Sequence, residues 1–75
     1  MQQRQIPPSA VFDVIRNGEI IEQREEEGDI VYLLIGFPNG RPLHVAVVRE
    51  GRVCKVKTAY DPDSTEWTAG FRRRR

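Results

Sequence analysis

Residues 30–49 read IVYLLIGFPNGRPLHVAVVR, and this stretch decides the fold. Asn39-Gly40 lies between two apolar runs, which is the strongest short-range signal for a β-hairpin. The β-branched and aromatic residues of both runs predict strands over Ile30–Phe37 and Pro42–Arg49. We therefore expect an antiparallel pair of strands joined by a two-residue turn.

Two more strands are predicted, one on either side of this hairpin. Glu19–Arg24 precedes a charged turn at residues 25–29, and Arg52–Tyr60 follows a second tight turn at Glu50-Gly51. Strands that follow one another through short turns usually lie side by side. The sequence thus predicts a four-stranded antiparallel meander in the order 1-2-3-4.

A short helix is predicted before the meander. Pro8 suits the first helical turn, because the missing N–H of proline would have no helical partner there. Ser9–Asn17 continues the helix, and Gly18 is expected in the left-handed conformation just past its end. The apolar face of this helix carries Val11, Val14 and Ile15. A helix followed by an antiparallel sheet makes the predicted fold class α+β.

The C-terminal part is predicted to return to the sheet. Residues 63–66 read DSTE, a pattern typical of a capping box, and predict a short helical turn. Trp67 and Phe71 are expected to pack on the sheet as anchors. We expect a single domain over residues 1–71 and a disordered basic tail over residues 72–75.

The two tight turns also predict which residues share a face of the sheet. If each turn has two central residues, Ile35 lies opposite His44, and His44 lies opposite Lys57. The face expected to pack under the helix carries Tyr32, Leu34, Leu43, Val45, Val47, Cys54, Val56, Thr58 and Tyr60. The other face mixes apolar and basic residues: Val31, Leu33, Ile35, His44, Ala46, Val48, Val53, Lys55 and Lys57. A small domain seldom leaves such a mixed face open, so we expect either the C-terminal aromatics or a second copy of the chain, in a homodimer, to cover it.

The composition limits the kinds of site that the chain can build. Cys54 is the single cysteine, which excludes an intrachain disulfide, and with His44 as the single histidine no Cys- or His-rich zinc site is expected. No phosphate-binding glycine loop or cofactor motif is present, so we expect no metal and no cofactor. The N-terminus is polar and no apolar run spans a bilayer, which predicts a cytoplasmic protein without a membrane partner.

The net charge of +1 conceals two oppositely charged stretches. Residues 19–29 hold six acidic residues and one arginine, a local charge of −5, whereas residues 41–60 hold five basic residues and one glutamate, a local charge of +4. The acidic run at residues 25–29 is expected to be a solvated loop. The basic stretch is the part of the chain that could contact phosphate groups.

Several segments resemble a known family. They are Gln3-Arg4-Gln5-Ile6, residues 14–21 (VIRNGEII), residues 40–45 (GRPLHV), residues 58–62 (TAYDP) and Trp67. Together they resemble the prokaryotic domain-of-unknown-function family 4258 over almost the whole chain. That family is similar in fold to RelE-type and BrnT-type toxins, which share a helix followed by an antiparallel sheet. The resemblance implies an RNA-directed activity and an antitoxin-like protein partner.

The sequence departs from the family pattern at its N-terminus. Members of the family usually carry an upstream helix with a His-Ala-x-x-Arg-Met pattern. This chain starts at Met1-Gln2-Gln3-Arg4, about where that helix would end, and its histidine has no counterpart. Either the start site is internal, or the helix is missing or truncated in this member, which would weaken any activity that depends on it.

The basic stretch contains candidates for metal-independent RNA cleavage, which needs an acid, a base and cations for the phosphate. His44 can serve as acid or base near neutral pH, and Tyr60 and Thr58 can orient or protonate an oxygen. The candidate phosphate-binding residues are Arg41, Lys55 and Lys57. The predicted register separates His44 from Thr58 and Tyr60, which argues against one shared site.

Two functions follow from these residues. One is a toxin-like domain that binds RNA or cleaves it, with an open basic cleft. The other is a non-catalytic homodimeric interaction module, with the mixed face buried between two chains. In the second case His44 is a structural residue, and Thr58 and Tyr60 are ordinary strand residues whose hydroxyls bond nearby backbone.

Overall fold

The computed structural model describes residues 6–62 and Trp67. These residues form one helix, α1, followed by four antiparallel strands in the order β1-β2-β3-β4. The elements are α1 (Pro8–Asn17), β1 (Glu19–Glu26), β2 (Asp29–Gly36), β3 (Leu43–Glu50) and β4 (Val53–Tyr60), with a 3₁₀ turn over Pro38–Gly40 between β2 and β3. The α+β meander predicted from the sequence is confirmed.

The helix begins and ends as its sequence dictates, with one difference. Pro8 stands at its start, and the backbone N–H of Gly18 closes it by donating to the carbonyl oxygen of Val14 at 2.7 Å. Gly18 has a φ of −78°, so the predicted left-handed cap is wrong. A Cβ at this position would strike the carbonyl oxygen of Val14 and approach that of Ile35 to 2.8 Å. Glycine is therefore needed here because the chain turns straight into β1 against the sheet.

The central hairpin has the predicted register. Leu34 pairs with Val45 and Ile35 with His44, as two central turn residues require. Asn39 and Gly40 both have positive φ, 57° and 79°, as a hairpin turn that matches the strand twist demands.

The β1–β2 connection is shorter than predicted. Glu27 and Gly28, both with positive φ, are the only residues between the two strands. β1 consequently extends to Glu26 and β2 starts at Asp29.

The predicted register of β4 is wrong for two reasons. The turn between β3 and β4 has Gly51 and Arg52 as its central residues, so Glu50 pairs with Val53. A β-bulge at Lys57 then inserts one extra residue, so that Ala46 pairs with Thr58. Because the total displacement is an odd number of residues, the end of β4 presents the opposite face from the one predicted.

The core on the helix side lies over the middle of the sheet. Val14 of α1 is completely buried, and α1 packs against β2 and β3. The buried residues of this cluster are Ala10, Val14, Leu34, Leu43, Val45 and Val47. The first half of β4 lies beyond the helix, so Val56 is 47% exposed and Cys54 is exposed. The prediction that these two residues belong to the core is wrong, although both lie on the helix-side face.

The opposite face, which we call the cleft face, carries Leu33, Ile35, His44, Ala46, Thr58 and Tyr60. Trp67 is 2% exposed and packs against Leu33 and Ala46, with Ile21 and Tyr60 alongside. The predicted anchoring of Trp67 on the sheet is confirmed, and the centre of this face is covered by the chain itself. Phe71, the helical turn predicted after residues 63–66 and the tail at 72–75 lie outside the described residues. Among the described residues, no helix is long and apolar enough to cross a membrane.

Candidate functional site

His44 lies at the centre of an aromatic cluster on the cleft face. Its side chain is completely buried, and its Nδ1 atom lies 3.2 Å from the hydroxyl oxygen of Tyr60. The Tyr60 ring meets the imidazole edge-on at a centroid distance of 5.3 Å, and the Trp67 ring does so at 4.4 Å. The prediction that His44 lies across from Lys57 is wrong, because the shifted turn and the bulge in β4 bring Tyr60 opposite His44 instead.

An open cleft of about 220 Å³ lies beside this cluster. Its floor is apolar and consists of Val31, Leu33 and Ala46. One wall carries Glu22 and Arg24 from β1, and the other carries Lys57, Thr58 and Tyr60 from β4. Tyr60 is therefore shared between the two features, since its hydroxyl contacts His44 and its side chain lines the cleft.

The strand pairing explains why these residues share one cleft. Glu22 pairs with Leu33, Leu33 with Ala46, and Ala46 with Thr58, which makes one straight row across all four strands. Three inter-strand spacings of about 4.8 Å put the Cα atoms at the two ends of the row roughly 14 Å apart. The two middle residues of the row are apolar and form part of the cleft floor. The Glu22 carboxylate lies at one end of the row and the Thr58 hydroxyl at the other.

The structure brings four of the six predicted site residues together. His44, Tyr60 and Thr58 lie on one face with Lys57 beside them, so the predicted separation of His44 from Thr58 and Tyr60 is wrong. The other two do not line the cleft. Lys55 forms an ion pair with Glu50 at 3.2 Å, and Arg41 is exposed in the loop before β3.

Sequence reasoning missed Glu22 and Arg24, which form the β1 wall of the cleft. Both lie in the predicted strand Glu19–Arg24, to which the sequence analysis assigned no role in a site. A β-bulge at Ile21 interrupts the pairing of β1 with β2 and turns Ile21 towards Trp67. Simple alternation along β1 could have placed Glu22 and Arg24 on one face, but no pattern showed that this face meets the end of β4.

The charged groups of the cleft are linked to one another. Glu26 accepts from Arg24 Nε at 2.6 Å and from Lys57 Nζ at 3.3 Å, so one carboxylate holds a cation from each edge of the sheet. These side chains are 39–60% exposed, and exposed ion pairs stabilise a fold by only about 0–1 kcal/mol. Within residues 6–62 and Trp67, no group of three or more His, Cys, Asp and Glu side chains is arranged to hold a metal ion.

Comparison with known proteins identifies the family. Residues 1–61 match the model of the family described as Domain of unknown function (DUF4258). The chain belongs to this family. The match includes β1 to β4, and therefore every cleft residue and His44, while Trp67 lies beyond it. No curated protein and no solved structure matches the chain.

The match confirms the predicted resemblance to the DUF4258 family itself. The family description assigns no activity. The geometry of the cleft is therefore the basis for any functional conclusion.

Proposed function

We propose that this domain binds single-stranded RNA in the cleft and cleaves its backbone by side-chain acid–base chemistry. The observation that carries the proposal is the Tyr60 hydroxyl, which contacts His44 Nδ1 at 3.2 Å while its side chain lines an open cleft with Lys57 and Glu22. A proton donor, a carboxylate and a cation in one cleft are the groups that cleavage of a phosphodiester requires.

In the proposed reaction the ribose 2′-oxygen attacks the adjacent phosphorus atom. The 2′-hydroxyl proton passes to the Glu22 carboxylate as the new O–P bond forms. The bond from phosphorus to the 5′-oxygen of the next nucleotide breaks, and that oxygen takes the Tyr60 hydroxyl proton. The products are a 2′,3′-cyclic phosphate and a free 5′-hydroxyl, and Lys57 offsets the charge that develops on the phosphate oxygens.

His44 acts as a positioning residue in this scheme. It is fully buried beneath Trp67, so substrate reaches Tyr60 and not the imidazole. An Nδ1–H that donates to the Tyr60 oxygen would leave the hydroxyl proton directed at the leaving group and stabilise the phenolate that forms. Thr58 is the last residue of the row that runs from Glu22 through Leu33 and Ala46. At this position its hydroxyl would orient the ribose. The catalytic roles shift accordingly from His44 towards Tyr60 and Glu22.

This proposal keeps the toxin-like interpretation of the family resemblance. A small RNA-cleaving domain related to RelE-type or BrnT-type toxins would act on cytoplasmic RNA and be held in check by an antitoxin-like partner.

A cleavage assay on a short fluorescent RNA tests the proposal. Tyr60→Phe removes only the hydroxyl, and we expect cleavage to fall by roughly 10²- to 10⁴-fold, the usual contribution of a general acid. Tyr32→Phe is the matched control, because Tyr32 lies in β2 and packs against the helix-side core. Cleavage of RNA by Tyr60→Phe at the wild-type rate would refute the role of Tyr60. A folded wild type that neither binds nor cleaves RNA would refute the function.

A second candidate is the homodimeric interaction module. The observation that favours it is the number of large apolar side chains left exposed away from the cleft, among them Phe12 at 59% and Val53 at 54%. Sedimentation equilibrium tests it directly. A dimer that Phe12→Ser or Val53→Ser dissociates would support an interaction role, whereas a monomer at millimolar concentration would refute it.

A further inference from the structure

Two cations from opposite edges of the sheet converge on one carboxylate. Arg24 belongs to β1 and Lys57 is the bulge residue of β4, yet both contact Glu26. They use different oxygens, Oε2 at 2.6 Å from Arg24 Nε and Oε1 at 3.3 Å from Lys57 Nζ. The Arg24 guanidinium and the Lys57 ammonium group therefore share the Glu26 carboxylate, each contacting one of its two oxygens.

The convergence occurs at the boundary of the cleft. Arg24 and Lys57 both line the cleft, whereas Glu26 lines a second, acidic hollow that shares Lys57 and Val31 with it. The acidic hollow also contains Glu27, Asp29 and Glu50. A negative group in the cleft would thus meet the same two cations from the side opposite to Glu26.

We propose that Arg24 and Lys57 form a phosphate-binding subsite, and that Glu26 occupies these two cations until a phosphate of the bound nucleic acid displaces it. The inference rests on the proposed function, since it names how the cleft holds its substrate. A carboxylate and a phosphate both present paired oxygens, which an arginine contacts with its fork of N–H groups and a lysine contacts as a point charge.

The energetics allow this exchange. The three side chains are 60% (Arg24), 39% (Glu26) and 46% (Lys57) exposed, so water already competes for both contacts. Exposed pairs of this kind are weak, and a phosphate that brings further contacts to the cleft floor and to Tyr60 can replace them. Glu26 would then compete with anions for Arg24 and Lys57. Small free anions would bind weakly, whereas a ligand that makes additional contacts in the cleft would displace the carboxylate.

The bulge explains why Lys57 can reach Glu26. Lys57 has no direct partner on β3, because Val56 pairs with Val47 and Thr58 pairs with Ala46. Its backbone is displaced from the regular pleat, as expected for the extra residue of a bulge. The same irregularity that turns Tyr60 towards His44 therefore places the second cation of the subsite.

The test compares Glu26→Gln with Glu25→Gln. Both variants remove one negative charge from adjacent positions of β1, but Glu25 pairs with Ile30 and lies on the other face of the sheet. We titrate inorganic phosphate and follow the Nε–H signal of Arg24 by NMR, and separately measure the binding of a non-cleavable 2′-O-methyl RNA by fluorescence anisotropy. Glu26→Gln should tighten both by about three- to tenfold, whereas Glu25→Gln should change them less than about twofold.

The outcomes separate the subsite from the function. Equal effects of the two variants would overturn the subsite, since general charge would then explain the gain, and so would the absence of phosphate binding in every variant. Tighter phosphate binding by Glu26→Gln without any RNA binding would support the subsite and overturn the proposed function. As a second check, Arg24→Gln in the Glu26→Gln background should abolish the gain in RNA affinity measured by fluorescence anisotropy.

Discussion

The Nδ1 atom of His44 lies 3.2 Å from the hydroxyl oxygen of Tyr60, and the two residues face each other across β3 and β4. The imidazole is fully buried, whereas Tyr60 is only partly buried and reaches the cleft. We therefore expect His44 to contribute mainly to the packing of the fold, whereas Tyr60 is placed for the proposed chemistry in the cleft.

Substitution of His44 should therefore damage the fold more than substitution of Tyr60. His44→Ala leaves a cavity under Trp67 and removes the partner of the Tyr60 hydroxyl, so we expect the free energy of unfolding to fall by roughly 2–5 kcal/mol. Tyr60→Phe should lower it by only about 1 kcal/mol, because its hydroxyl can also bond to water. Urea unfolding followed by circular dichroism measures both. Equal stability of His44→Ala and wild type would contradict the packing role.

The pairing of His44 with Tyr60 also shows which strand register could not be predicted from the sequence. The Asn39-Gly40 turn has a strong sequence signal, and it predicted the β2–β3 register correctly. The β4 register depended on a weaker turn and on a bulge at Lys57, and nothing in the local residue pattern marks an inserted residue. Because of this bulge, Thr58 and Tyr60 lie on the same face as His44 and not on the predicted one.

The fluorescence of Trp67 should show whether its side chain covers the cleft face. It is the single tryptophan of the chain and is 2% exposed against Leu33, Ala46 and His44. We expect a blue-shifted emission with little quenching by acrylamide, and Trp67→Ala should lower the free energy of unfolding by about 3–5 kcal/mol. Trp67→Phe, which keeps part of the packing, should cost less. Emission typical of exposed indole in the folded protein would show that Trp67 does not cover His44.

Cys54 should react with a thiol reagent without denaturant. Its face of the sheet was predicted correctly, but α1 packs over β2 and β3 and leaves the first half of β4 uncovered, so Cys54 is exposed. The pattern of residues shows which side chains share a face, but it cannot show how far a ten-residue helix reaches across four strands. We expect one thiol per chain to be modified at the rate of an unfolded control. Modification only in urea would contradict this position of β4.

Gly18 should be the least replaceable glycine of the described residues. A Cβ there would strike the carbonyl oxygen of Val14, and overpacking of this kind costs about 1–3 kcal/mol. Gly28→Asn is the control, because Gly28 has a φ of 86° with open space around it, and asparagine tolerates that conformation. Thermal unfolding should show a loss of roughly 4–8 °C per kcal/mol for Gly18→Ala. A similar loss in both variants would contradict the close contact of α1 with the start of β1.

Glu22 should be essential for cleavage and dispensable for binding. It lies at the end of the row opposite Thr58. Glu22→Gln keeps the size of the side chain and removes the basic oxygen that, in the proposed reaction, accepts the 2′-hydroxyl proton. We expect the cleavage rate to fall by about 10²- to 10⁴-fold, while the affinity for a 2′-O-methyl RNA is retained or increases slightly through the loss of one negative charge. Glu25→Gln again serves as the control on the other face. If Glu22→Gln cleaves RNA at the wild-type rate while Tyr60→Phe is inactive, Glu22 is not the base. The cleft would then still be the site, with another residue as the base.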